Sequence, residues 1–342
     1  MKILIRDFII NSGFHSCFRA GSTCYTSALR DVMSYYDSDV DISEVDLFFI
    51  INGLNITFYD DNTNGFLGYN FEENQNMSIF GSRCKISSYR NTKKNKEQIC
   101  EWVISSLKRN EPIICFMETK YLDYHNIYKE NGSGVHAITL FGVDSENDKC
   151  YVLDSHIRIN FGKFEFYIGE FSLTNFIEGL LCTWEFDTSR CSTLNIDLHE
   201  YIVSGIKNYI SGCCIDNKMY CGSKALDKYI DNCRKQAETD DKEEFISLCN
   251  RMHFNIKING PCYINNNLSL LCKKVGNHLE ENEKEFNMLN AGWVNLASVI
   301  LAAGYQNSKK RFHSVLARVE ILMQKQTKAI QNLLDKLVET GF

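Results

Sequence analysis

The sequence predicts an α+β fold, with an antiparallel sheet in the first half, followed by an all-helical region. Three observations support this. Two strand-like runs, 135–143 and 149–154, flank the polar turn Asp144-Ser145-Glu146-Asn147-Asp148 and should pair as an antiparallel hairpin. A helix-period pattern starts abruptly at Cys24. Strand signals stop after about residue 186, and helical periodicity takes over from about Leu198. A domain boundary is expected between Thr188 and Asn195, where short polar residues cluster. It separates a mixed α+β domain over 1–190 from a helical domain over 191–342.

The elements follow in order. Ser22 or Thr23 can cap a helix over 24–36, which carries Ala28, Val32, Tyr35 and Tyr36 at helical spacing. A second helix is expected over 96–108, with Ile99, Cys100, Val103 and Leu107 on one face. After Pro112 the apolar run 113–117 has the length of a buried strand, and Gly132-Ser133-Gly134 forms a loop before the hairpin. Strands at 163–168 and 181–186 bracket a short helix at 173–180. Helices are then expected near 198–210, 222–237, 241–252, 266–286, 287–304 and 307–338. The last repeats apolar residues at Phe312, Val315, Val319, Leu322, Ile330, Leu333 and Leu337, with Gln326 interrupting the seam.

With 342 residues, 44% of them hydrophobic and 23% charged, the chain can bury one large core or two moderate ones, as a soluble globular protein does. A net charge of −6 supplies no overall basic field, so general nucleic-acid binding by phosphate neutralisation is not expected without a local patch. Ile3-Leu4-Ile5 is cut short by Arg6 and Asp7, so no signal-peptide core is expected, nor a later stretch long enough to cross a membrane. Fifteen cysteines in such a chain are expected to be reduced thiols in a cytoplasmic protein. No Cys-x-x-Cys pair occurs, and Cys213-Cys214-(x6)-Cys221 lacks a matching pair, so no metal is expected.

Chemistry centres on Cys24. The start of a helix favours a thiolate, because unpaired amides and the helix dipole face it. Gly21-Ser22-Thr23-Cys24 places a turn, a cap and then the cysteine. Alone, Cys24 is one thiol of fifteen near a helix end, and a base is needed. If the hairpin folds about residue 145 or 146, His136 faces Asp154 or its neighbour, since paired positions sum to a constant. A facing carboxylate would fix the imidazole tautomer and leave the other nitrogen for the thiol. The bland alternatives are a surface histidine at a strand end and an aspartate closing a strand. Cys24, His136 and Asp154 are the expected catalytic residues because all three must coincide. Cys17 beside His15 is the rival pair, and His125 or His156 could replace His136. His253, His278 and His313 fall on helices and are expected at the surface. For an oxyanion hole the Cys24 N–H is the natural first donor, with Ser22, Ser12 and Asn11 as candidates for the second.

The segments Thr23-Cys24-Tyr25-Thr26-Ser27-Ala28-Leu29-Arg30-Asp31-Val32, His136-Ala137-Ile138-Thr139-Leu140-Phe141-Gly142-Val143-Asp144 and Tyr151-Val152-Leu153-Asp154 resemble the N-terminal domain of the butirosin-biosynthesis acyltransferase family. The resemblance covers roughly 10–190. It implies a papain-like (cysteine-proteinase) fold and an N-acyltransferase of antibiotic biosynthesis. An acyl group would pass from the phosphopantetheine thioester of an acyl or peptidyl carrier protein, through a Cys24 thioester, to a small amine or diamine. No cofactor is then needed, because phosphopantetheine arrives on the carrier-protein substrate. One departure is Thr23, where the family often has histidine.

Lys309, Lys310, Arg311 and Arg318, with Lys325 and Lys328 beyond, crowd the last helix against the single acid Glu320. They could dock an acidic carrier protein or simply form a solvated face. The apolar seam of that helix suits a core or a homodimer contact. No nucleic-acid or membrane partner is expected. A cytoplasmic papain-like peptidase or amidase, and a non-catalytic papain-like binding module, are the competing readings.

Overall fold

The computed structural model describes residues 2–5, 23–36, 43–59, 67–69, 77–79, 82–88, 96–130, 134–159, 163–187, 198–215 and 218–341. In chain order these form β1 (Lys2–Leu4), α1 (Cys24–Tyr36), α2 (Glu44–Ile50), β2 (Ile56–Tyr59), β3 (Leu67–Tyr69), β4 (Met77–Ile79), β5 (Ser82–Ser88), α3 (Lys96–Lys108) and β6 (Ile113–Glu118). Then come α4 (Asn126–Glu130), β7 (Val135–Asp144), β8 (Lys149–Ile159), β9 (Lys163–Ser172), α5 (Leu173–Gly179) and β10 (Leu180–Asp187). The remainder is α6 (Leu198–Ser211), β11 (Cys213–Ile215), β12 (Met219–Cys221), α7 (Ser223–Gln236), α8 (Lys242–Phe254), α9 (Pro261–Val275), α10 (Glu280–Tyr305) and α11 (Lys309–Thr340).

The α+β class is borne out. A mixed region with antiparallel sheets precedes an all-helical stretch, α7 to α11. The chain divides into two compact units, Met1–Leu47 with Phe71–Ile196, and Phe48–Asn70 with Asp197–Phe342. Residues 48–70, placed by sequence in the first domain, therefore cluster with the second unit. The expected boundary at 188–195 lies outside the described residues.

The first unit is built on a sheet of order β4-β5-β10-β6-β7-β8-β9, with β1 also paired to β7 and every pair antiparallel. From His136 to Asp144, β7 is buried on both faces, which is why it reads as a nearly unbroken apolar run. Helix α1 packs on β7 and β8. It is buried all round, from Tyr25 to Ser34, so its polar residues Thr26, Ser27, Arg30, Asp31 and Ser34 lie inside the protein. A helix of that kind needs a partner for each polar group.

The second unit carries a strand order β11-β12-β2-β3. Sequence reading missed β11 and β12 because each is only three residues long. Gly222, at φ +63°, turns the chain from β12 into α7, and a Cβ there would meet the Tyr209 carbonyl oxygen at 2.7 Å. The expected helices 266–286 and 287–304 are corrected to α9 and α10. Gly276, at φ +119°, breaks the chain after Val275, and Glu280, Glu281 and Glu283 fill the first turn of α10 where anions are favoured. The stretch 277–305 is also long and apolar enough to cross a membrane, which corrects the expectation that none was. Here Phe286, Trp293, Ala297 and Ile300 are fully buried in the unit's own core.

Gln326 does not interrupt the seam of α11. Its side chain is fully buried and makes three hydrogen bonds: Oε1 accepts from Asn265 Nδ2 at 2.6 Å and Trp293 Nε1 at 2.7 Å, while Nε2 donates to the Tyr209 hydroxyl at 2.8 Å.

Candidate active site

Three elements of the first unit converge on one cluster. Thr23 caps α1, its Oγ1 accepting the Thr26 amide at 3.3 Å. Cys24 is thus the first helical residue, half-buried, where an anion is favoured. His136 is the second residue of β7, paired across the ladder with Met117 of β6, and Asp154 lies on β8.

The hairpin register brings histidine and aspartate together diagonally. Thr139 pairs with Leu153 and Leu140 with Val152, and the register shifts between Leu140 and Gly142. Carried to the strand ends, this alignment sets His136 against His156, whose ring lies 6.4 Å away, with Asp154 two residues along on the same face. The turn closes later than sequence reading assumed, with Asp144 opposite Lys149, which corrects the direct opposition of 136 and 154. A diagonal neighbour is still within side-chain reach. His136 Nε2 meets Asp154 Oδ1 at 2.9 Å.

Asp154 is fully buried and held from four directions. Its Oδ1 also accepts the His156 backbone N–H at 3.0 Å, and its Oδ2 accepts the hydroxyls of Tyr124 at 2.7 Å and Tyr128 at 2.6 Å. The Tyr128 hydroxyl lies 2.9 Å from His136 Nε2 as well. The Tyr124 ring stacks on Tyr167 with centroids 4.5 Å apart, so the tyrosine is fixed by packing before it donates. These tyrosines escaped sequence reading. Their only local signal is the spacing Tyr124-x3-Tyr128 just before the histidine strand.

Electrostatics follow from this arrangement. Burial alone would push the Asp154 carboxyl up, but the His136 charge and the hydrogen bonds from His136, Tyr128 and Tyr124 hold it at about 2. Burial alone would push the His136 imidazole down. The Asp154 carboxylate, the charge of Cys24, and hydrogen bonds to both outweigh burial and raise it to about 10. With Nε2 engaged by Asp154 and Tyr128, Nδ1 is left for the Cys24 sulfur. A thiol beside an imidazole that a carboxylate holds in place suits nucleophilic attack on an acyl group.

A second thiol on β8, Cys150, is a core residue with no exposure, four residues before Asp154. That is about 13 Å along a strand, out of reach of the histidine pair. His125 turns inward locally, its Nδ1 accepting the Ile127 amide at 3.2 Å. His253 is half-buried and donates from Nδ1 to the Ala297 carbonyl at 3.0 Å, so it is not the surface residue expected, whereas His278 is exposed. Asn11, Ser12, Ser22, His15 and Cys17 lie outside the described residues.

In the second unit, Lys310, Arg311 and Arg318 line an open cleft of about 480 Å³ with Ser308 and Ser314. Lys309 instead approaches Asp240 at 3.5 Å.

The first unit therefore has a papain-like cysteine-hydrolase or transferase fold with a candidate catalytic triad. No curated protein matches the chain. Residues 23–155, a span that encloses Cys24, His136 and Asp154, match the family described as Butirosin biosynthesis protein H, N-terminal.

Proposed function

We propose that this protein is a cysteine-dependent N-acyltransferase that forms an amide bond. The observation that carries the reading is the buried His136–Asp154 pair beside a thiol at a helix start, inside a span matching the Butirosin biosynthesis protein H family. Cys24 attacks the thioester of an acyl or peptidyl carrier protein, the phosphopantetheine thiol leaves with a proton, and the acyl group rests on Cys24. An amine then attacks, His136 accepts its proton, and the thiolate is released with the amide. The thioester already holds the activation, so no nucleotide is needed.

The carrier protein and the small amine or diamine are part of this proposal, as is a place in antibiotic assembly. A diamine acceptor is the narrower form of the proposal, taken from a resemblance of the chain to the papain-like enzyme that joins acyl chains to a diamine in closthioamide assembly. The cationic cleft of Lys310, Arg311 and Arg318 has the charge to receive an acidic carrier.

The test is intact-protein mass after mixing with an acyl-loaded carrier. Acyl mass that stays on the wild type, is absent from Cys24→Ala and leaves as amide on adding an amine supports transfer. Immediate release of free acid supports the peptidase or amidase reading instead. No acyl-enzyme under any loading would leave a binding module.

A further inference from the structure

One fully buried carboxylate near the triad has no part in the chemistry just described. Asp31 sits on α1 seven residues after Cys24, hence on the same face of the helix and about 10 Å further along its axis. Its Oδ2 accepts the hydroxyl of Ser155, and Ser155 directly follows Asp154 on β8. Its Oδ1 accepts Nη2 of Arg30 at 2.8 Å and Nε at 3.0 Å, and Arg30 Nη1 reaches Glu44 at 2.6 Å. Thr26 Oγ1 bonds the other oxygen of Glu44 at 3.3 Å.

Consecutive residues of a regular strand point to opposite faces, so one strand would not ordinarily aim Asp154 at His136 and Ser155 at α1. The β8 register shifts between Asp154 and Ile157, where three steps on β8 answer two on β9, and this bulge re-aims the chain. The nucleophile helix is thus tied at two points to neighbouring residues of the hairpin, by Cys24 through His136 to Asp154 and by Asp31 to Ser155.

We propose that Asp31, held by Ser155, is a positioning residue that fixes the height and rotation of α1 so that the Cys24 sulfur stays on His136. The inference rests on Cys24 being the nucleophile. Retaining an ionic group in so closed a place is costly unless its geometry is used. Burial pushes the Asp31 carboxyl up to about 6, against the pull of Arg30 and the Ser155 hydroxyl, with Glu44 pushing the same way as burial. A helix free to turn or slide by a fraction of a residue would carry the sulfur off the imidazole nitrogen, and misplacement of about 1 Å costs up to ~10²-fold in rate.

The experiment is the rate of Cys24 alkylation by iodoacetamide, read by peptide mass across pH, beside kcat and KM for acyl transfer. Ser155→Ala removes one hydroxyl and keeps the fold, whereas Asp31→Asn tests the carboxylate directly. The expected result is about a tenfold slower alkylation of Cys24 in Ser155→Ala, a matching fall in kcat with KM within about twofold, and recovery in Ser155→Thr. A reactive Cys24 whose rate and kcat are untouched by Ser155→Ala would overturn the inference and leave the nucleophile standing. Wild-type Cys24 reacting no faster than the exposed Cys213 and Cys214 would overturn the nucleophile, and the inference with it.

Discussion

Two of the buried polar clusters among the described residues differ in kind. In the first unit His136, Asp154, Asp31 and Arg30 are charged groups, the two aspartates held by tyrosine and serine hydroxyls and Arg30 by carboxylates, with a half-buried thiol at one end. In the second, Gln326, Asn265, Trp293 and Tyr209 form a neutral network with no exposed member. Buried charge is expensive and persists where a reaction or a fixed geometry needs it, whereas neutral amides in a helical core serve mainly to select one packing. The contrast separates a cluster built to react from one built to hold.

The strongest way to break that contrast is at the thiol. Cys24→Ala should lower amide formation by about 10⁴-fold or more while leaving the melting temperature nearly unchanged, as single-turnover kinetics and calorimetry would report. A fall in stability without loss of activity would move Cys24 to the holding class. Asp154→Asn comes next, because it disturbs both properties. Activity should drop by about 10³–10⁴-fold, from the wrong histidine tautomer, and stability by roughly 3–5 kcal/mol in denaturant titration.

Gln326→Ala tests the other side. It strands the Trp293 N–H and takes a partner from the Tyr209 hydroxyl and from the Asn265 amide, which keeps the Pro261 carbonyl, so about 3 kcal/mol of stability should be lost. Cys24 alkylation in the folded protein should stay within about twofold of wild type. A large change in thiol reactivity would show that the neutral network does more than hold.

The pH dependence sharpens the comparison further. His136 stands at about 10 in the folded protein, above the 6.5 of a free imidazole, so its contribution is complete below 6.5 and is lost as pH rises through 10. Asp154 stands at about 2, below 3.8, so its contribution is present above 3.8 and is lost as pH falls through 2. The melting-temperature gap between wild type and Asp154→Asn should therefore be widest between about pH 4 and 6.5 and narrow on both sides. Wild type against Gln326→Ala should show a gap nearly independent of pH. The smallest effect is expected for Tyr124→Phe, which removes one of four donors to Asp154 and should cost about 1–2 kcal/mol in stability. A neutral result there would mean that Tyr128 alone suffices.

What was legible in the sequence was local. The cap before Cys24, the apolar run of β7 and the polar turn after it each rest on near neighbours, and together they place cysteine, histidine and aspartate close by. The diagonal approach of His136 to Asp154 was not legible, because the register moves between Leu140 and Gly142, and one glycine inside an apolar run does not say that the pairing shifts there or by how much. Tyr128 was hidden by the brevity of α4, five residues long, whose pattern is too short to read, and Tyr124 by lying in the turn before it. Arg30-Asp31 inside a helix of apolar spacing was a visible anomaly, since a charged pair on a core helix implies partners elsewhere. Pairing of β2 with β12 spans about 160 residues of sequence and leaves no local trace.

That last pairing bears on how the chain can be made and cut. Residues 48–70 leave the first unit early and are completed by strands near residue 220, so a fragment ending near 190 would hold Ile56–Tyr59 as an orphaned edge, ready to pair with another copy. During synthesis the same strand waits about 160 residues before β12 emerges from the ribosome. Exchange of this segment between two chains is accordingly a route of misassembly open to the protein.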